Sequence, residues 1–465
     1  MKKFLKITLS LLVLAVVGYF IYVQYQKSAS LKNRIHEDAE SVLKIGLHDL
    51  QKTILVDAFS SPMFYWDHVD FSDNSKDKKD KKNIKKGVNL KPYSLVFYTM
   101  KNVKNTLFTT LPINDVEAFN KYAEKYLADR NCVIVEKEYR YALDEKTKLI
   151  YAWNDKTLAI AYAPKKSFEL CKSVFDDVLL NKKLISETDH PYIQILKDAD
   201  DHITYLKGKS QVHLNFYDGK AYLSGIIYTD TPNKFNTTIQ HSDIPDASLQ
   251  VYLDANFSNA ENKESAAEFL SDFSFFKKNN IDVGTLVEKT TGVLSLAIKG
   301  TTQQTDSIVT YEYDDNFEKV ETVAVQEKEA PLIYLSIASD TTLKTYFKKQ
   351  GTIENGVLKA LPMYSFYESD TTSLLSFSTQ KGAVINTMKT GSYFFSISAE
   401  FDRLQEDLKI SKADKLAEIL KSLRINAQQL EDNKVVLEGN LSAENSSINI
   451  ISQLFFGLQD LDSIP

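Results

Sequence analysis

The strongest feature of the hydropathy pattern is an uncharged run of seventeen residues, "ITLSLLVLAVVGYFIYV" at 7–23, preceded by Lys2, Lys3 and Lys6. At about 1.5 Å of rise per residue it nearly spans a hydrocarbon core, which predicts a membrane helix over 7–25 behind a cytoplasmic tail of residues 1–6. Tyr19, Tyr22 and Tyr25 mark its far end as interface anchors. Ser28-Ala29-Ser30 offers small residues for cleavage after Ser30, but the run exceeds the ~7–15 residues of a signal-peptide core, which favours retention. Lys27, Lys32 and Arg34 follow the run, so charge bias does not orient it; its export-signal form places the tail inside and the bulk outside. Leu31, Ile35, Val42, Leu43, Leu47, Leu50 and Ile54 then recur at helical spacing and predict a stalk helix over 26–60, stopped by Pro62.

From Pro92 onward helical and strand periods alternate. "YSLVFYTM" (93–100) reads as a strand, and "INDVEAFNKYAEKYLADR" (113–130) as a helix with Val116, Phe119, Tyr122, Ala123 and Tyr126 on one face. A meander of "CVIVEKEYRYAL", "KLIYAW" and "LAIAYA" follows, joined by "DEKT" (144–147) and "NDKT" (154–157). Asn and Asp tolerate the left-handed backbone of tight hairpins, and Asp218-Gly219 and Asp432-Asn433-Lys434 repeat the device. Trp153-Asn154-Asp155 therefore reads as a turn rather than a site. The second half repeats strand, helix and short meander, with boundaries suggested at 242–248 and 325–331. The order predicts an α+β fold of antiparallel sheets covered by helices on one face, in modules at 92–242, 243–328 and 329–465.

Composition changes this picture little. A chain of 465 residues with 43% apolar and 25% charged residues is that of a folded protein with two to four domains. A net charge of −6 spread along the chain leaves no electrostatic footprint for nucleic acid. Residues 61–91 stand apart as an aromatic segment and a Lys-rich tract. The tract, 72–87, has seven Lys against three Asp and almost nothing apolar, and reads as a disordered or solvated loop or, in the functional reading, a basic patch for anionic lipid or glycan. The chain holds two cysteines, Cys132 and Cys171, which in an exported body form either a disulfide or two buried free thiols. No Cys lies near the end of the apolar run to carry a lipoprotein acyl group.

The spacings that chemistry requires are missing: there is no Gly-rich phosphate loop, nucleophile elbow, HExxH or CxxC, and no two of the seven His stand at i, i+4. Asp67, His68, Asp70 and Asp73 offer hard ligands to a divalent cation but lack the Gly turn and closing Glu of an EF-hand. Asp198, Asp200, Asp201 and His202 place an imidazole beside carboxylates, as acid–base work requires, although a solvated helix-to-strand connection has the same composition. Phe64, Tyr65, Trp66 and Phe71 are a candidate interaction surface for a sugar or partner chain, or a segment packed on the first sheet. No catalytic, cofactor-binding or metal-binding residue is assigned, and no cofactor is expected.

"TLPINDVEAFNKYAEKYL" with "LIYAWNDKTLAIAY", "IPDASLQVYLD" and the C-terminal "VVLEGNLSAENSSINIISQLFF" resemble segments of uncharacterised envelope proteins of the Bacteroidetes type. The resemblance implies an N-terminal export signal or anchor and repeated α+β modules, and carries no site residues. Many such proteins are lipoproteins, and this chain departs from them in lacking the Cys. The expectation is a single-pass inner-membrane protein with its body in the periplasm, serving as a non-enzymatic scaffold or interaction protein with envelope partners. A lipid- or glycan-binding module is the alternative, and a hydrolytic enzyme without a recognisable motif comes third. A deep apolar groove between sheet and helices would mark a binding module, and convergent titratable groups in a cleft an enzyme.

Overall fold

The structure is a computed structural model that describes residues 22–68, 86–90, 92–164, 167–229, 235, 239–242, 244–313, 319–361, 363–370, 374–383, 388–409, 414–431 and 433–459. The apolar run before residue 22, most of the Lys-rich tract, and Asp70, Phe71 and Asp73 lie outside the described residues. Among the described residues no helix is long and apolar enough to cross a membrane. The chain divides into two compact units, Met1–Phe216 and Tyr217–Pro465.

In the first unit the strands are β1 (Ala39–Ile45), β2 (Leu95–Met100), β3 (Val103–Pro112), β4 (Ile134–Glu136), β5 (Arg140–Asp144), β6 (Leu149–Trp153), β7 (Thr157–Tyr162), β8 (Ile203–Lys207) and β9 (Ser210–Tyr217). They lie side by side as β9-β8-β1-β2-β3-β7-β6-β5-β4, every pair antiparallel. The helices are α1 (Leu47–Ser60), α2 (Pro62–His68), α3 (Val116–Ala128), α4 (Phe168–Leu179) and α5 (Pro191–Asp198), and residues 22–31 are also helical. The continuous stalk helix expected over 26–60 is corrected, because β1 interrupts it and sits between β2 and β8. On β1 Ser41, Val42 and Lys44 are buried, and the two polar ones are satisfied: Ser41 bonds Thr99, and the Lys44 ammonium caps the Leu196 and Ala199 carbonyls at the end of α5.

Helices cover both faces of this sheet rather than one. α3 begins at Asp115, whose carboxylate accepts the Ala118 N–H, and it buries Phe119, Ala123 and Leu127 against Leu111, Ala142, Trp153 and Leu158. α4 buries Cys171, Val174 and Phe175 with Ile150, Ala152, Ala159 and Ala161 on the other face. "LIYAW" and "LAIAYA" are apolar at odd and even positions alike, which is what burial on both faces requires. The same geometry keeps the cysteines apart. Both are free, Cys171 in the core beneath α4 and Cys132 against the α3 side, so the candidate disulfide is not formed.

The "NDKT" turn is built by a side chain. Asn154 Oδ1 accepts the Lys156 and Thr157 N–H groups at 2.8 and 2.9 Å, and its Nδ2 donates to the Leu179 carbonyl at 2.7 Å. Asp144 does the same for Lys146 and Thr147 in "DEKT", and the left-handed residue is Lys148 just after it, at φ 61°; Asn154 and Asp155 are not left-handed. Asn154→Val is therefore expected to cost about 1–3 kcal/mol through lost acceptors, whereas Asp155→Gly at an exposed position should be nearly neutral. Urea unfolding of both variants checks this, and equal costs would refute the side-chain account.

The second unit holds β10 (Lys220–Tyr228), β11 (Ile239–Ser242), β12 (Leu249–Asp254), β13 (Thr290–Tyr313), β14 (Lys319–Ser339), β15 (Ile353–Glu354), β16 (Val357–Leu358), β17 (Phe366–Asp370), β18 (Leu374–Ser378), β19 (Met388–Gly391), β20 (Tyr393–Glu400), β21 (Leu420–Glu431) and β22 (Lys434–Ala443). Eleven of them run β10-β22-β21-β20-β12-β13-β14-β18-β17-β16-β15, again antiparallel throughout, and β11 pairs with β19. The helices are α6 (Ala260–Ser271), α7 (Ser274–Lys278), α8 (Val283–Glu288), α9 (Thr341–Lys349), α10 (Phe401–Leu408), α11 (Asp414–Ile419) and α12 (Ile450–Gln459). Strand, helix and hairpin recur from β12 to β14 and from β20 to β22. The boundary suggested at 325–331 falls inside β14, whose polar stretch is an exposed part of a long hairpin with β13 rather than a linker.

Candidate functional site

A groove of about 270 Å³ opens between α3 and strands β6 and β7 in the first unit. Trp153, Leu158 and Ile160 form its floor, Phe119, Tyr122 and Tyr126 its helical wall, and Val88 and Leu90 its outer wall. Spacing on α3 creates the space: Tyr122 and Tyr126 stand one turn apart, while the small Ala123 faces the sheet between Phe119 and Leu127. Trp153 is 2% exposed, donates Nε1–H to Asn120 Oδ1 at 3.3 Å and meets Phe119 edge to face at 6.0 Å. It shares this face with Leu149 and Tyr151, as strand alternation predicts.

The outer wall is held by Gly87. Its carbonyl accepts the Asn114 and Asp115 N–H groups at 2.8 and 3.1 Å, and Val88 bridges to Ile113. Its φ is +65°, and a Cβ there would lie 2.1 Å from the Asp115 carbonyl oxygen and 2.4 Å from the Phe119 nitrogen. Only glycine fits this approach.

Cations lie over two of the wall rings. Tyr122 and Tyr126 stack at 5.7 Å, with Lys86 Nζ 5.4 Å from the Tyr122 ring centre and the Arg130 guanidinium carbon 3.8 Å from that of Tyr126. Burial raises the Tyr122 and Tyr151 phenols, which stay protonated as hydrogen-bond donors at neutral pH. Arg130 Nε lies 3.7 Å from Asp144 Oδ2. Burial works against the Asp144 carboxylate, but hydrogen bonds from Thr147 and Lys146 with the Arg130 charge hold it below the usual range. The arrangement can receive an apolar body and attract a negative end.

The other candidate residues are placed differently. His202 Nδ1 accepts the Phe216 N–H at 3.1 Å, which leaves Nε2 as the N–H facing Thr53 Oγ1 at 2.8 Å, a neutral tautomer. Asp201 accepts a hydrogen bond from Asn215 Nδ2 at 2.5 Å and lies 2.8 Å from His213 Nδ1, Asp200 pairs with Lys27, and Asp198 ends α5 in solvent. The cluster latches β8 and β9 to α1 instead of converging on a cleft. Among the described residues no group of His, Cys, Asp and Glu is arranged to hold a metal ion; Asp67 and His68 close α2. The aromatic segment is split: Phe64 and Tyr65 are half-buried, with Tyr65 O–H donating to Asp57 Oδ2 at 2.6 Å, while Trp66 is 71% exposed.

Burial lowers the pKa of His202, and also that of His36 in the main core. The unfolded chain takes up protons near 6.5 that the folded chain resists, so stability is fully present above that pH and is lost as pH falls through it. Urea midpoints should drop below pH 6.5, and His202→Gln should remove part of the slope; an unchanged slope would refute the assignment.

The sequence shows Val116, Phe119, Tyr122, Ala123 and Tyr126 only as one face of a helix, and Lys86 only as part of a tract that reads as loop or basic patch, so the groove is not legible from it. Two tyrosines a turn apart beside Ala123, with Arg130 four residues after Tyr126, are the signal that could have raised it.

No family model and no curated protein matches the chain. Among solved structures it is similar to one described as "Structure of crystal form IV of TP0453", at 9% identity and a TM-score of 0.24, covering 41% of this chain and 76% of that one. A likeness this slight carries no argument.

Proposed function

We propose that the chain is a membrane-anchored, exported protein of the cell envelope whose first unit binds a small single-chain amphiphile with an acidic end. The groove beneath α3 carries this reading, since an apolar cleft between sheet and helix is what distinguishes a binding module from a scaffold. Its volume of about 270 Å³ lies just below the range of drug-sized ligand pockets, which suits one acyl chain and not a multi-chain lipid. Lys86 and Arg130, over the Tyr122 and Tyr126 rings of the helical wall, supply the charge for a carboxylate or phosphate. Anchorage rests on the apolar run at 7–23, and the non-enzymatic reading is carried over from the sequence.

A photoreactive fatty acid offered to the full chain should label peptides of α3, β6 and β7. Leu90→Trp, which adds bulk at a 39% exposed wall position, should reduce that labelling at least tenfold at unchanged Tm. Labelling spread over other surfaces and indifferent to Leu90→Trp would sink the proposal. A second reading, protein scaffold, is favoured by α6 and α7, which bury none of their residues and leave Phe269 and Phe275 exposed, with Phe273 exposed between them. Crosslinking in intact membranes that joins this face to another protein at fixed stoichiometry would support it.

A further inference from the structure

The helical pair α1 and α2 is turned inside out. α1 buries Asp57, 3% exposed, and holds it against Tyr65, yet presents Leu55, Val56 and Phe59 at 59%, 59% and 85% exposure. α2 adds Met63 and Trp66 at 77% and 71%. A helix that hides a carboxylate and shows its large apolar side chains is built for an apolar neighbour.

We infer that this face of α1 and α2 lies on the bilayer surface, with Leu55, Val56, Phe59, Met63 and Trp66 entering the interfacial layer. The inference rests on the membrane anchoring proposed above. The position of the chain's exit from the apolar run identifies the occupant. Residues 22–31 continue that run as a helix, in which Tyr22 and Tyr25 are exposed and Lys27 stands 6.0 Å from the Tyr93 ring centre. Tyr93 in turn stacks on His48 in the first turn of α1, at 4.5 Å and 23°. One aromatic ring therefore separates the membrane-proximal helix from the start of α1, whose fourteen residues extend about 21 Å from there. Trp, Phe and Leu are side chains that the headgroup boundary accepts, as it does for amphipathic helices lying in its plane. The sequence that follows, with seven Lys against three Asp over 72–87, has the charge that an anionic leaflet attracts.

The chain supplies its own reporter, because it has two Trp and Trp153 is only 2% exposed. Full-length protein is reconstituted into phosphatidylethanolamine–phosphatidylglycerol vesicles, and wild-type emission is compared with that of Trp66→Phe. The difference isolates Trp66 even if a lipid in the groove quenches Trp153. The expected result is loss of most of the Trp66 emission to lipids brominated near the headgroup, with little loss to aqueous iodide. Phe59→Asp should reverse that order of accessibility while the protein still floats with the vesicles. Protein that floats but leaves Trp66 open to iodide overturns the docking alone. Trp66 shielded from both quenchers in proportion to protein density assigns the face to a second copy, and also overturns it. Protein that fails to float refutes the anchor and this inference with it, while leaving the fatty-acid labelling of the groove to be judged separately.

Discussion

Trp153→Ala is expected to destabilise the first unit by about 3–5 kcal/mol, the range for removing a large aromatic from a packed core. The ring is 2% exposed and supports Phe119 edge-on, while its Nε1–H ties β6 to Asn120 on α3. Removing it takes away part of the groove's floor and leaves Asn120 Oδ1 without that donor, so helix and sheet lose packing and a hydrogen bond at one point. For a unit of this size the loss is about 10 °C in Tm. Near-UV circular dichroism during heating measures it, with Trp153→Phe as the variant that keeps most of the volume and loses only the indole donor. Phenylalanine should recover more than half of the loss. A Tm within 2 °C or so of wild type after Trp153→Ala would mean that the ring is not packing α3 to the sheet, and would return Trp153 to consideration as a site residue.

The pattern around Trp153 shows what could be read in advance. Odd and even positions of "LIYAW" were both apolar, which predicts two covered faces, yet the order of elements alone suggested one. The stalk helix failed for the opposite reason. Leu31, Ile35, Val42 and Leu47 fit a helical spacing, but Val42 and Lys44 are inward neighbours on a strand, and a buried Lys is invisible to a hydrophobicity pattern until the carbonyls it caps are in place. The turn at Asn154 was legible as a turn and not in its mechanism, since the same residue type serves a left-handed backbone and a side-chain acceptor. The groove depends on α3 meeting Val88 and Leu90, residues about thirty positions before it in a segment whose composition reads as loop. Such non-local closure leaves no period in the sequence.

That closure makes Gly87→Ala the most informative change for binding. Two costs act together: an alanine at φ +65° carries the left-handed penalty of about 1–2 kcal/mol, and its Cβ collides with backbone atoms of Asp115 and Phe119 that no rotamer can move. The segment must lift away, giving up the bonds from Asn114 and Asp115 and the bridge from Val88 to Ile113, at about 1 kcal/mol for each bond lost. Val88, Leu90 and the Lys86 charge leave with it, so the groove loses its outer wall while its floor stays packed. Gly208→Ala supplies the control, because Gly208 has a φ of +56° with nothing within 4 Å of the added Cβ, and so reports the backbone penalty alone. The expected result is a stability loss at Gly87 exceeding that at Gly208 by about 2 kcal/mol, and a loss of most fatty-acid labelling at Gly87 only. Equal stability costs with labelling intact in both variants would show that the 86–90 segment does not wall the groove, and the ligand would have to be sought elsewhere on the unit.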